Sequence, residues 1–152
     1  MKTSPSLPIT TERQRNIFWK WLPVLICCAI IFAFSHQPQA VLAPLQPSGI
    51  TAQPGFMLFG MNADTLIGKS AHVLLFALLA VSLYRATRRY EVTFLLAFIY
   101  AGTDEWHQSF VIGRTPRISD IGFDMLGVTL ALLLLASFYY LRAYAKRLRN
   151  QA

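Results

Sequence analysis

Apolar residues in this chain gather into four runs, 17–34, 67–84, 92–110 and 118–141. Each is near the length of about 20 mostly apolar residues that a helix needs to cross a hydrocarbon core of roughly 30 Å. The pattern predicts an all-α fold, an integral membrane bundle of four transmembrane helices. Between the first two runs, residues 35–66 hold no Lys or Arg and are broken by Pro38, Pro44, Pro47 and Pro54, which marks a loop draped on the membrane surface.

The positive residues alternate between the connecting segments. Lys2, Arg13, Arg15 and Lys20 precede or open the first run, Arg85, Arg88 and Arg89 follow the second, and Arg142, Lys146, Arg147 and Arg149 follow the fourth. Positive residues remain on the cytoplasmic side, so both termini are expected in the cytoplasm and the loop 35–66 outside it. The expected organisation is a cytoplasmic segment 1–16, a membrane domain 17–141 and a basic cytoplasmic tail 142–152, in a bacterial inner membrane. A cleaved signal peptide is a rival reading of the first run, because Ala33 and Ser35 mimic a small-x-small site.

Composition agrees with burial in lipid. Of 152 residues, 55% are hydrophobic and 14% charged, which excludes an ordinary soluble domain. The formal charge of +7 does not indicate nucleic acid, since Lys and Arg cluster at the ends of apolar runs and form no continuous basic face. Cys27 and Cys28 are adjacent within an apolar run, fit neither a disulfide framework nor metal-ligand spacing, and read as packing residues.

Function is to be sought where the polar residues interrupt the runs. His36, His72 and His107 all fall at one predicted membrane surface, with Lys69, Arg114, Arg117 and five of the seven acidic residues. The third run is apolar to Ala101 and then becomes Gly102-Thr103-Asp104-Glu105-Trp106-His107-Gln108, so its second half must face protein or water. Helical spacing puts Asp104 and Gln108 on one face. In the fourth run Asp120, Asp124, Gly127 and Ala131 form a single stripe, with a small-xxx-small pair that admits a close neighbour. Leu130, Leu133, Leu134 and Leu141 lie on the lipid side. In the second run Lys69 and His72 point the same way one turn apart, and Arg114 and Arg117 stand within reach of Asp104, Glu105 and Asp120.

Four blocks together resemble the VanZ-like family of small bacterial membrane proteins: Ser35-His36-Gln37-Pro38, Lys69-x-x-His72, Asp104-Glu105-x-x-Gln108, and Gly113-Arg114 followed by Ser119-Asp120 and Gly127. The chain departs from that pattern at Phe76, where an aromatic hydroxyl is common, at Ile112, where proline is common, and at Asp124, where asparagine is common. The family takes its name from a member that lowers susceptibility to the glycopeptide teicoplanin. The resemblance therefore implies a cell-envelope protein that modulates susceptibility to glycopeptide or lipopeptide antibiotics, or alters the lipid-linked precursors they bind.

The candidate site comprises Lys69, His72, Asp104, Glu105, Gln108, Arg114, Asp120 and Asp124. Three readings fit it. The charges form an internal network that holds four helices together. Alternatively, Lys and Arg cradle a phosphate or pyrophosphate head group, with carboxylates orienting them. In a third reading, His72 or His107 acts as general acid/base with Glu105 or Asp120, although no nucleophile motif accompanies them. The histidines lie on different runs without paired spacing, so neither metal nor cofactor is expected. A transport path lacks inverted repeats. The expected partners are membrane lipids and lipid-linked envelope precursors.

Overall fold

A computed structural model describes residues 9–37, 63–114 and 117–151, with side chains from residue 16 in the first segment and from 68 in the second. Residues 38–62, with the four prolines of the predicted loop, and Lys2 lie outside the described residues. Four helices form: α1 (Ile9–Ser35), α2 (Ala63–Thr87), α3 (Tyr90–Gln108) and α4 (Ile118–Arg149). No strand occurs among the described residues.

Each apolar run is a helix, but α1, α2 and α4 overshoot the predicted spans. Backbone hydrogen bonding continues through charged residues that hydrocarbon would exclude, so a helix outlasts its apolar stretch. The extreme case is α4, whose 32 residues at 1.5 Å each make a rod of about 48 Å. The opposite happens in α3, which stops at Gln108 rather than Phe110. Its end closes as a tighter turn in which the Ser109 N–H bonds Trp106 O at 3.2 Å and the Phe110 N–H bonds His107 O at 3.0 Å.

By length and composition α1, α2 and α4 are able to cross a membrane. The 19-residue α3 is set apart by Glu91, Asp104 and Glu105. The last two are buried against protein, at 4% and 8% exposure, so this helix hides its charges from the lipid phase. Leu74, Leu78, Phe94, Phe98, Leu133 and Leu134 are exposed on the outside of the bundle. Such an apolar exterior suits a lipid solvent and would be anomalous in water. These features define a multi-pass membrane protein.

Contacts fix how the helices run. Arg85 near the end of α2 reaches Trp19 near the start of α1, so these two are antiparallel. Ser35 at the end of α1 meets Asp104 near the end of α3, and Lys69 near the start of α2 meets Asp120 near the start of α4. The pairs α1/α3 and α2/α4 are therefore each parallel. Helix α2 packs on the other three and α3 also touches α1 and α4, which leaves α1 and α4 at opposite corners. Phe76, Leu79, Ile31 and Val128 fill the centre with Ala80, Ala97 and Ala101. One end of the bundle gathers the polar residues, and the other the basic ones.

Two details at the basic end come from sequence chemistry. Between α2 and α3 the chain turns within Arg88 and Arg89, and Arg88 takes φ 58°, a left-handed conformation unusual for a residue with a Cβ. Thr87 and Thr93 stitch the turn, their hydroxyls 3.0 Å apart. Within α1, Pro23 has no N–H, so the Trp19 carbonyl four residues earlier loses its helical donor. The Arg85 guanidinium donates to that carbonyl at 2.9 Å. Replacing Arg85→Ala is expected to cost about 1 kcal/mol in detergent unfolding. With Pro23→Ala in the same chain the cost should vanish, since the restored N–H takes the carbonyl. Equal costs in both backgrounds would disprove the compensation.

Candidate functional site

Two helix ends, those of α1 and α3, and two helix starts, those of α2 and α4, meet at the polar end. On α3 the 3.6-residue period stacks Asp104 under Gln108, and Gln108 Nε2 donates to Asp104 Oδ2 at 2.9 Å. Ser35, the last residue of α1, donates to the same oxygen at 2.7 Å. Arg114 then closes this group from the connection between α3 and α4. Its Nη1 donates to Gln108 Oε1 at 3.2 Å, its Nη2 to Phe34 O at 3.1 Å and its Nε to Gln37 O at 3.4 Å. A cation seated on the unfilled carbonyls of a helix C-terminus is favoured by both hydrogen bonding and the helix dipole.

A second group joins α2 to α4. The Lys69 ammonium pairs with Asp120 Oδ1 and lies 4.3 Å from the centre of the Phe123 ring. One turn deeper, His72 Nδ1 is 3.3 Å from Asp124 Oδ1. The Asp120-Asp124-Gly127-Ala131 stripe faces α2 as its spacing predicts: Asp124, Gly127 and Ala131 are buried. Gly127 is needed there, because a Cβ would collide with the Val73 carbonyl of α2.

Glu105 bridges the two groups. It accepts the backbone N–H of Arg117, the residue that opens α4. No side chain caps that helix start from within α4, so a carboxylate from α3 does what a capping-box Glu does from its own helix. Glu105 is close enough to Asp104, Asp120 and Asp124 to interact with their charges, as His72 is with Asp104 and Arg114.

All eight sequence-predicted residues thus gather at one end, but not with the pairing their charges imply. Arg114 binds carbonyls and an amide, and no carboxylate among the described residues. Arg117 uses its backbone, with its side chain exposed. Lys69 is engaged by Asp120. Two of the three cations that an anion cradle would need, Lys69 and Arg114, are thus engaged within the protein, whereas carboxylate acceptors are to spare. Asp104 and Asp124, 4% and 3% exposed, each hold an Oδ1 without a hydrogen-bond partner among the described residues. For Asp124 the His72 contact has ion-pair distance without hydrogen-bond alignment.

Several participants lie outside the eight predicted site residues. Ser35, which opens the Ser35-His36-Gln37-Pro38 block, is fully buried as a donor to Asp104; its signal was a lone small polar residue closing an apolar helix. His107, a candidate general acid/base in the sequence, stacks on Phe32 at 4.4 Å, and its Nε2 lies 3.2 Å from Nδ1 of His36. Tyr100 donates to the Cys28 carbonyl at 2.7 Å and ties α3 to α1. Beside this tie a cavity of about 390 Å³ opens between α1 and α3, walled by Phe32, Tyr100, Trp106 and Phe110 together with Thr103, Asp104 and His107.

A polar network assembled from all four helices, at one end of an apolar bundle, belongs to a small multi-pass membrane protein. The VanZ/LLP1 family model matches residues 18–139, from within α1 to within α4, and the chain belongs to that family. No curated protein and no solved structure matches it.

Proposed function

We propose that this VanZ-family chain is a four-span inner-membrane protein with both termini in the cytoplasm, and that its polar end recognises polar head groups of lipid-linked envelope precursors in the outer leaflet. The loop 35–66 is then extracytoplasmic, and residues 1–16 and 142–152 are cytoplasmic flanks of the membrane domain 17–141. Sequestering or altering such precursors modulates susceptibility to glycopeptide and lipopeptide antibiotics that target them. The reading of α3 as a fourth span is supported by its charge placement, because Glu91 lies in the first turn while Asp104 and Glu105 are buried near the other end. The apolar stretch between them meets lipid and the neighbouring helices.

The observation that carries the functional reading is the convergence of Lys69, His72, Asp104, Glu105, Gln108, Arg114, Asp120 and Asp124 on one end, where Asp104 Oδ1 and Asp124 Oδ1, the latter 3.3 Å from His72 Nδ1, accept no hydrogen bond among the described residues. A network made only to hold helices together would gain by satisfying both, since each unfilled buried acceptor costs about 1–3 kcal/mol. Sites that bind keep such groups for a ligand.

The test is fluorescent teicoplanin bound per cell in a susceptible Gram-positive host, comparing wild type, Asp120→Asn and an empty control at matched membrane levels. Asparagine keeps the shape of Asp120 and removes its charge, while Lys69 retains the Phe123 ring, so the fold should persist. Less bound drug with wild type, and control levels with Asp120→Asn, is the expected result. Identical binding in all three removes antibiotic modulation. A loss of effect that only tracks a loss of protein favours the structural network.

A further inference from the structure

The surplus of acceptors and the aromatic walls beside it specify a ligand chemistry. We propose that the cavity between α1 and α3 takes the ammonium group of an amine-bearing lipid head group, held by Asp104 and the aromatic residues that line it, Tyr100, Trp106 and Phe110 with Phe32. This deepens the proposed function and rests on its reading that the polar end meets head groups.

Charge decides first. Asp104 Oδ2 already accepts from Ser35 and Gln108, while Oδ1 has no partner although its residue forms part of the cavity wall. The carboxylate is hydrogen-bonded but has no cation in contact: the nearest arginine, Arg114, is turned to Phe34 O, Gln37 O and Gln108. A phosphate in this cavity would face that carboxylate while Arg114 is committed elsewhere. An ammonium group supplies both the charge and the donor. His107 on the cavity wall is already engaged, its Nε2 3.2 Å from His36 Nδ1 and its ring stacked on Phe32.

The walls decide second. Aromatic faces attract cations through the ring quadrupole, and the attraction grows when the cation is desolvated. Four aromatic residues and one carboxylate line the cavity, and its volume of about 390 Å³ lies in the range of small-ligand sites. Phe32, Trp106 and Phe110 are 50%, 69% and 70% exposed, which puts the mouth on the bundle's outer surface near its polar end. Aromatic residues of this kind sit at head-group depth in a bilayer, so the occupant arrives from the membrane plane.

Binding is read from Trp106, which walls the cavity. The full chain carrying Trp19→Phe and Trp21→Phe, purified in dodecylmaltoside, is titrated with short-chain phosphatidylethanolamine, phosphatidylcholine and phosphatidylglycerol, and with free ethanolamine. Saturable fluorescence changes are expected with phosphatidylethanolamine, weaker ones with phosphatidylcholine, whose quaternary ammonium carries charge but no N–H, and none with the glycerol lipid or free ethanolamine. Asp104→Asn keeps an acceptor for Ser35 and Gln108 and should weaken ammonium-lipid binding by about tenfold or more, the scale of a desolvated charge contact. Phe110→Leu, which preserves apolar bulk outside the Asp104 network, should weaken it several-fold and serves if Asp104→Asn does not fold. Equal response to the glycerol lipid, equal response to free ethanolamine, or unchanged affinity in a folded variant would overturn the proposal. If ammonium binding is absent while wild type still lowers teicoplanin binding and Asp120→Asn does not, this ligand alone is wrong. Absence of both effects sinks the head-group reading itself.

Discussion

Gly127→Ala is expected to separate α2 from α4 and to remove most folded protein from the membrane. The added Cβ would overlap the Val73 carbonyl and approach Val73 Cα to 3.1 Å, and all these atoms belong to backbone that cannot rotate away. Only a shift of one helix relieves the clash, at about 1–3 kcal/mol for overpacking. The interface displaced is the most extensive in the bundle and carries both the Lys69–Asp120 and His72–Asp124 contacts. Larger residues such as Leu should abolish folding. Gly102 and Gly122 provide the control, because a Cβ at either meets nothing within 4 Å. Alanine there should be neutral or stabilise its helix by roughly 0.5–1 kcal/mol. Thermal unfolding in detergent and the folded fraction on size exclusion measure the contrast. A Gly127→Ala protein as stable as Gly122→Ala would show that the close approach is not required.

That glycine also shows how far the fold is legible in the chain. Solvent imposes the helices: an apolar run of membrane length has little choice but to be a helix, since its backbone must satisfy itself. A stripe of carboxylates and small residues at spacings of four, three and four predicts a close neighbouring helix. That this neighbour is α2, with Lys69 and His72 meeting Asp120 and Asp124, emerges only in the structure, since the sequence put Asp120 within reach of Arg114 and Arg117. The connections between helix ends were not legible. Charge suggests that Arg114 and Arg117 seek carboxylates, but the sequence does not display free carbonyls at the end of α1, or a bare N–H at the start of α4. Those backbone groups captured Arg114 and Glu105. The Arg85 contact with the carbonyl left open by Pro23 belongs to the same class of interaction. In lipid no water competes for such groups, so the few long polar side chains near helix ends are drawn to them before they are drawn to one another.

Arg114 offers the sharpest test of this ordering. If it were one partner in an ion-pair network, Arg114→Lys would preserve most of its contribution, and Arg117→Ala would cost a comparable amount. The geometry predicts neither. Three nitrogens of one guanidinium reach three acceptors, Phe34 O and Gln37 O at the end of α1 and Gln108 Oε1 on α3. A single ammonium group is unable to span them. Arg114→Lys should therefore lose nearly as much as Arg114→Ala, about 1–3 kcal/mol, with the partly exposed position of the fork holding the value below that of a buried charge. The loss should be local first: amide exchange ought to rise at Phe34 to Gln37, where the end of α1 loses its cap, before it rises in the centre of α2. Asp104 would then lose order as well, since Gln108 and Ser35, which hold its Oδ2, both border the vacated fork. Arg117→Ala should leave stability and exchange unchanged, because the α4 start offers Glu105 a backbone N–H that every residue except proline supplies. Equal losses at the two arginines, or full rescue by lysine at 114, would return the polar end to an ordinary ion-pair network.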